Sequence, residues 1–444
     1  MTSEPTPVPP PGCPAHGSGQ PIPMYTSEFA ADPHSYYAYM RHHGPTAPVE
    51  LAPGVEATLV TDYAASLDLL QNPGDFRKDA RQWRDLNEGR ISPDSPVLPL
   101  LAYRPNCMFT DGAEHLRLRQ AVTESFARVS SHRLSQNVDR VARYLIAQFS
   151  ARGSADLLND YAKELPLLVF NELFGCPAEV GDRVMFGISG IFDGINAEKA
   201  NEVLFQAVSE LVALKRTQPD DDVTSWLMQH PAQLNDQEMA HQLVLLLGAG
   251  AEPLRNLIAN TLHLLLTNDR YTQSGLVEEA LDDTLWHNPP MSNYAPHYPA
   301  RDMEFAGQKL SAGDLVLVSF QAANGASARS ATGQGSNRAH LAWSAGPHAC
   351  PSKEPARLIT LAAIEHLFNE LPDVELAVPE ESLTWRPGPF NRALAQLPAR
   401  FTPATPRHSA QPQQAQAVQR PASPAAPTKE RGGMWSSFLT WLRT

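Results

Sequence analysis

The sequence predicts a mainly α-helical domain with a small β region, and three observations carry that expectation. Helical periodicity recurs at 115–150, 155–174, 200–216, 235–267 and 353–370. One strand pair stands out, Met303–Phe305 with Leu315–Phe320, with Gly307 and Gly313 as turn points. Nothing between residues 25 and 400 has the composition of a linker. The 444 residues therefore read as one large core, although length alone suggests two or three domains.

The elements have local causes. Asp32-Pro33 offers an N-cap and a proline at the first helical position, and that helix runs through Tyr36, Tyr37 and Met40 to Gly44-Pro45. The long helix 235–267 begins at Asn235 with Glu238 three residues on, a capping box. Residues 1–22 read as a disordered Pro-rich tail, 23–402 as the body, and 403–431 as a Pro/Ala/Gln-rich linker that cannot build a core. In the final stretch, 432–444, Trp435, Phe438, Leu439 and Leu442 fall at i, i+3, i+4 and i+7, one face of a short helix. So short a helix is marginal alone in water. It needs its own domain, a membrane surface or a partner protein to fold against. Arg443 is its single basic residue, which argues against a membrane. The expectation is a partner groove.

Composition excludes several classes. Net charge is −13, with 35 basic against 48 acidic residues and no basic stripe interleaved with aromatics, so nucleic-acid binding is not expected. The 40 prolines, the one excess, gather towards the two ends. Cys13, Cys107, Cys176 and Cys350 are far apart and form no CxxC, which suits a reduced, cytoplasmic protein better than a disulfide framework. The polar N-terminus MTSEPTPVPPPG does not read as a signal peptide. The longest apolar stretch, 243–266, carries Glu252 and Arg255 in its middle, so a buried helix is expected and no transmembrane span.

The chemistry centres on Cys350. In HLAWSAGPHACPSKEPARLITLAAIEHLF it sits in a small-residue loop that opens onto an amphipathic helix. A thiolate before a helix N-terminus is stabilised by the dipole and by unpaired N–H groups. Small residues before it let a flat macrocycle approach the backbone, and Gly346 permits the tight turn. A lone cysteine is most often a buried structural thiol. Zinc lacks a second ligand at suitable spacing, and a nucleophile lacks an evident base.

The neighbouring segments add to this. The loop resembles the cysteine loop of the cytochrome P-450 superfamily, with Trp343, Ser344, Gly346, His348 and Cys350 in register. Trp343, Ser344 and Ser352 depart from the usual Phe, Gly and Gly. In FTDGAEHLRLRQAVTESF, His115 and Arg119 are four apart on one helix face, suited to a pair of carboxylates. The family's corresponding pair holds the heme propionates. NPPMSNYAPHYPARDMEFAGQKLSAGDLVLVS is similar to the region leading into the family's small sheet, and His297 falls where an Arg commonly reaches a propionate. The fourth segment is the helix 235–267. The resemblance covers residues 23–402.

It implies a cytochrome P-450 fold, one heme b with Cys350 as iron ligand, and His115, Arg119, His297 and His348 around the propionates. It further implies insertion of one oxygen atom into a small organic substrate, with electrons from a ferredoxin and its reductase. Lys353 and Arg357 offer a basic docking spot for an acidic ferredoxin. Two departures qualify this. In the oxygen-binding groove, Gly248-Ala249-Gly250-Ala251-Glu252-Pro253, Pro253 replaces the Thr that relays protons, leaving Glu252 as the candidate for proton delivery. Upstream of Asn288-Pro289-Pro290, Asp283-Thr284-Leu285-Trp286 replaces the Glu-x-x-Arg pair that pins the cysteine loop, so Trp286 is expected to anchor by packing. The chain thus resembles an atypical actinobacterial subgroup. Peroxide-driven oxidation and a redox-silent heme-binding sensor or assembly subunit stay open as alternatives.

Overall fold

The structure is a computed structural model that describes residues 8–14, 20–193, 197–272, 276–328, 338–404 and 433–442. The elements that position the site begin with β1 (Ile22–Pro23), α1 (Pro33–His43), β2 (Thr46–Ala52), β3 (Val55–Val60), α2 (Tyr63–Gln71) and β4 (Phe76–Arg77). The helical part follows with α3 (Gly112–Ala127), α4 (Ser131–Phe149), β5 (Ser154–Asp156), α5 (Glu164–Leu173), α6 (Ala178–Asp193), α7 (Ala197–Thr217), α8 (Asp236–Thr267) and α9 (Val277–His287). The chain returns through β6 (Asn293–Pro299), β7 (Met303–Phe305), β8 (Gln308–Leu310), β9 (Val316–Ser319) and α10 (Phe320–Ala328). It then forms α11 (Lys353–Glu370), β10 (Glu375–Leu376), β11 (Pro398–Arg400) and α12 (Met434–Trp441).

Local chemistry sets the boundaries. Asp32 caps α1 through its carboxylate on the Ser35 amide, and Asn235 and Glu238 form the reciprocal capping box of α8. The long periodic run 115–150 is two helices: α3 ends at Ala127 and Ser130 caps α4. The run 155–174 opens as strand β5 and a π-helical turn, Leu157–Ala162, before α5. Both segments carry one apolar face throughout, so periodicity alone does not show the breaks.

The main sheet has the order β1-β2-β3-β9-β6-β4. β3 pairs parallel with β9, placing Thr58 opposite Val316, and β6 pairs antiparallel with β9. The expected strand pair is corrected here. Met303–Phe305 pairs with Gln308–Leu310 across Ala306-Gly307, while Val316–Ser319 lies inside the main sheet. The β2–β3 hairpin went unread because Pro48 interrupts the alternation of β2, and Pro53-Gly54 forms the turn between the strands.

The largest core cluster lies among α3 to α8, α11 and α12, and a second lies beneath the main sheet. Two domain expectations change. Residues 8–14, read as tail, lie against α1: Tyr36 donates to the Pro11 carbonyl, and β1 adds to the sheet at residue 22. The C-terminal helix docks on its own domain and not in a partner's groove. Trp435 and Phe438 are buried, the Trp435 indole N–H donates to the Cys176 carbonyl at 3.1 Å, and Asp182 of α6 caps α12 at the Trp435 amide, 2.8 Å. Most of the expected linker, 405–431, lies outside the described residues. Among the described residues no helix is long and apolar enough to cross a membrane.

Candidate active site

The cysteine loop is a pair of 3-10 turns, Leu341–Trp343 and Gly346–His348, running into α11. The Cys350 amide donates to the Trp343 carbonyl at 2.8 Å, closing the loop on itself. Gly346 has φ +67°, and a β-carbon there would stand 2.1 Å from the Leu70 carbonyl oxygen of α2, so only glycine fits. Ser344 occupies φ +60°, ψ −171°, a conformation otherwise almost reserved for glycine. The family's usual glycine there has a physical reason, and this chain carries the strain instead.

Cys350 opens on a cavity of about 280 Å³. Burial pushes its thiol up, while a backbone hydrogen bond from Ser352 and the charges of Arg119 and Lys353 pull it back towards thiolate. Among the described residues no three His, Cys, Asp or Glu side chains gather to hold a metal ion by themselves. A metal bound here needs most of its ligands from a larger group.

The predicted cofactor residues converge on this cavity. Arg119, His297 and His348 line it. Arg119 donates to the Ala349 carbonyl, next to the cysteine, and Nδ1 of His297 lies 2.7 Å from the Ala295 carbonyl. His115 stands one layer back, its ring 3.8 Å from that of His348 and its Nδ1 2.8 Å from the Cys107 carbonyl. Sequence reasoning missed Lys78. It lies just beyond β4, lines the same cavity and donates to the Pro296 carbonyl at 2.7 Å. Its only sequence signal is a lone Lys after a two-residue strand. Burial drives the Lys78 ammonium down to about 7 and holds His297 and His348 below the usual imidazole range. No Asp or Glu lines the cavity among the described residues.

Helix α8 forms another wall through Leu245, Leu246, Ala249, Gly250, Pro253 and Leu254. It stays continuous through Pro253, where the missing N–H leaves the Ala249 carbonyl without its helical donor. Gly250 was expected to leave room for dioxygen. A β-carbon there would meet the Phe170 ring at 2.6 Å, so its smallness also admits α5. Glu252 turns away from the wall. Its carboxylate accepts from Arg386, from Asn256 at 3.2 Å and from Arg255 at 3.4 Å.

Trp286 is buried, 8% exposed, with its ring edge-on to His340 at 5.6 Å. Arg357, expected in a docking spot, is instead 7% exposed and pairs with Asp282 and Glu278, leaving Lys353 as the exposed cation at the start of α11.

An apolar slot with a thiol on one face and basic side chains along one edge, with no carboxylate in the lining, matches a flat macrocycle bearing an iron and two carboxylates. That arrangement defines a heme-thiolate protein. The comparisons agree, and the chain belongs to the cytochrome P450 family. It is 31% identical over 375 residues to 2-hydroxy-5-methyl-1-naphthoate 7-hydroxylase of Streptomyces carzinostaticus, covering 80% of this chain and 91% of that protein. Cytochrome P450 107B1 of Saccharopolyspora erythraea is 28% identical over 400 residues, covering 85% and 96%. Among solved structures, CYP154A1 from Streptomyces coelicolor A3(2) superposes with a TM-score of 0.74 at 28% identity, covering 85% of this chain and 99% of that one. CYP154C4 from Streptomyces sp. W2061 gives 0.77 at 26%, covering 86% and 97%. No protein-family model matches the chain. The protein is an oxidoreductase whose cofactor is heme b.

Proposed function

We propose that the chain is a cytoplasmic monooxygenase that inserts one oxygen atom into a small, largely apolar organic substrate, using electrons from a ferredoxin and its reductase. The observation that carries this reading is the Cys350 thiol facing an apolar cavity whose edge of basic side chains has no acidic partner in the wall. Heme bound there supplies the oxidative chemistry, and a thiolate ligand favours O–O cleavage. Cys350 ligates the iron. Lys78, Arg119, His297 and His348 hold the carboxylates, and His115 sets the ring of His348 from behind. Leu245, Leu246 and Leu254 exclude water and favour an apolar substrate. An acidic ferredoxin meets Lys353.

Glu252 is the proposed proton source, and it serves only by leaving Arg386 for the wall. That cost, together with Pro253 where a relay hydroxyl would stand, favours a second reading, peroxide-driven oxidation. The test measures turnover of ligands chosen by heme spectral shift, with a surrogate ferredoxin system and separately with hydrogen peroxide. Product in the first arm supports the dioxygen reading, and product only in the second supports the peroxide reading. Product in neither would sink both and leave a redox-silent heme protein.

A further inference from the structure

The Glu-x-x-Arg pair of the family is missing, yet α9 still grips the cysteine loop. Glu278, Asp282, Leu285 and Trp286 stand at i, i+4, i+7 and i+8, on one side of that helix. Each reaches a flank of the loop. Arg338, twelve residues before Cys350, places Nε 3.1 Å from Asp282 Oδ2 and Nη2 2.5 Å from Glu278 Oε1. Arg357, seven residues after Cys350, pairs its Nη1 with Asp282 Oδ1 and sets Nη2 3.3 Å from Glu278 Oε1. The Leu285 carbonyl accepts from Asn324 at 3.1 Å, and Asn324 in turn accepts from the Leu341 amide at 2.7 Å. Trp286 meets His340.

Two carboxylates, Asp282 and Glu278, therefore each hold both ends of the segment that presents the thiol. The inner half of the cluster is shielded: the side chains of Arg357 and Asp282 are 9% and 18% exposed, against 53% and 59% for Arg338 and Glu278. Each arginine spreads its fork over Asp282 and Glu278, so the contact fixes orientation as well as distance. We propose that Asp282, through Arg357 and Arg338, is the positioning residue for the Cys350 thiolate, with the arginines supplied from both sides of the loop in place of the arginine that α9 lacks.

This inference rests on Cys350 being the iron ligand, and the wild-type holoprotein tests that separately. If the wild type lacks the red-shifted Soret band of the reduced carbon monoxide complex, the heme-thiolate reading itself fails. Given that band, Asp282→Asn and Arg357→Gln should convert part of the reduced complex to the thiol-ligated form. They should also speed heme transfer to an apo-globin by about tenfold, within the range of couplings between contacting charges. The exchange Asp282→Arg with Arg357→Asp should restore much of both signals, and Glu278→Gln should move neither strongly. If Asp282→Asn does not fold, Arg357→Lys, which keeps the charge and loses the fork, is read instead and should show the same shift in smaller measure. Unchanged band ratio and heme transfer in the variants that fold would overturn the inference. So would a lower melting temperature with an unchanged ratio, since that marks a structural role only.

Discussion

The amide of Cys350 donates to the carbonyl of Trp343 at 2.8 Å, so the residue that presents the thiol is tied to the aromatic that opens the loop. Ser344, between them, takes up the bend at φ +60°, ψ −171°. Backbone strain of that kind costs on the order of 1–3 kcal/mol, and glycine would remove it while giving back about 0.5–1 kcal/mol of chain entropy. Ser344→Gly should therefore stabilise the heme protein by about 1 kcal/mol. Thermal unfolding of the holoprotein measures it, and an unchanged or lower midpoint would show that Ser344 is not strained in solution.

Lys78 yields a pH prediction. Burial depresses its pKa to about 7 against the opposing charge of Asp111. Heme carboxylates would raise that pKa, so binding takes up a proton above about pH 7. Heme affinity contributed by Lys78 is then full below pH 7 and falls as pH rises through 8 and 9. Lys78→Met should retain heme less well and lose this slope. An identical pH dependence in the variant would place the ammonium elsewhere.

Pro253 lines the cavity from inside α8. Replacing it with Thr returns both an N–H and a hydroxyl, and removes a helix penalty of roughly 3 kcal/mol. Pro253→Thr should raise product formed per electron pair consumed. Equal coupling in both proteins would mean that another group already supplies the relay.

The docked C-terminal helix gives the fourth prediction. Trp435 is 2% exposed, and a β-carbon on Gly181 would stand 2.2 Å from its indole. Trp435→Ala should cost about 3–5 kcal/mol of stability, and Gly181→Ala should undock α12, both with the heme spectrum preserved. Wild-type melting of Trp435→Ala would mean that the helix is free in solution and available to a partner.

Much of this was legible in sequence because it rests on local chemistry. Asp32-Pro33, the Asn235–Glu238 box and the Cys350 loop each announce themselves within a few residues. The ends of α8 and α11 follow from capping and periodicity and were read to within a residue. Lys78, the Arg338–Asp282–Arg357 cluster and the Arg386 contact that draws Glu252 off the wall are long-range pairings, which no spacing encodes. The C-terminal helix was legible as an amphipathic face but not as to what covers it. That depended on Gly181 and Asp182, more than two hundred and fifty residues away.

The central claim is that Cys350 binds the heme iron as thiolate. The most direct measurement is the Soret band of the reduced carbon monoxide complex in the wild type and in Cys350→Ala. The wild type should show the strongly red-shifted band, and the variant should lose it while the chain stays folded. A variant that keeps the band would contradict the assignment.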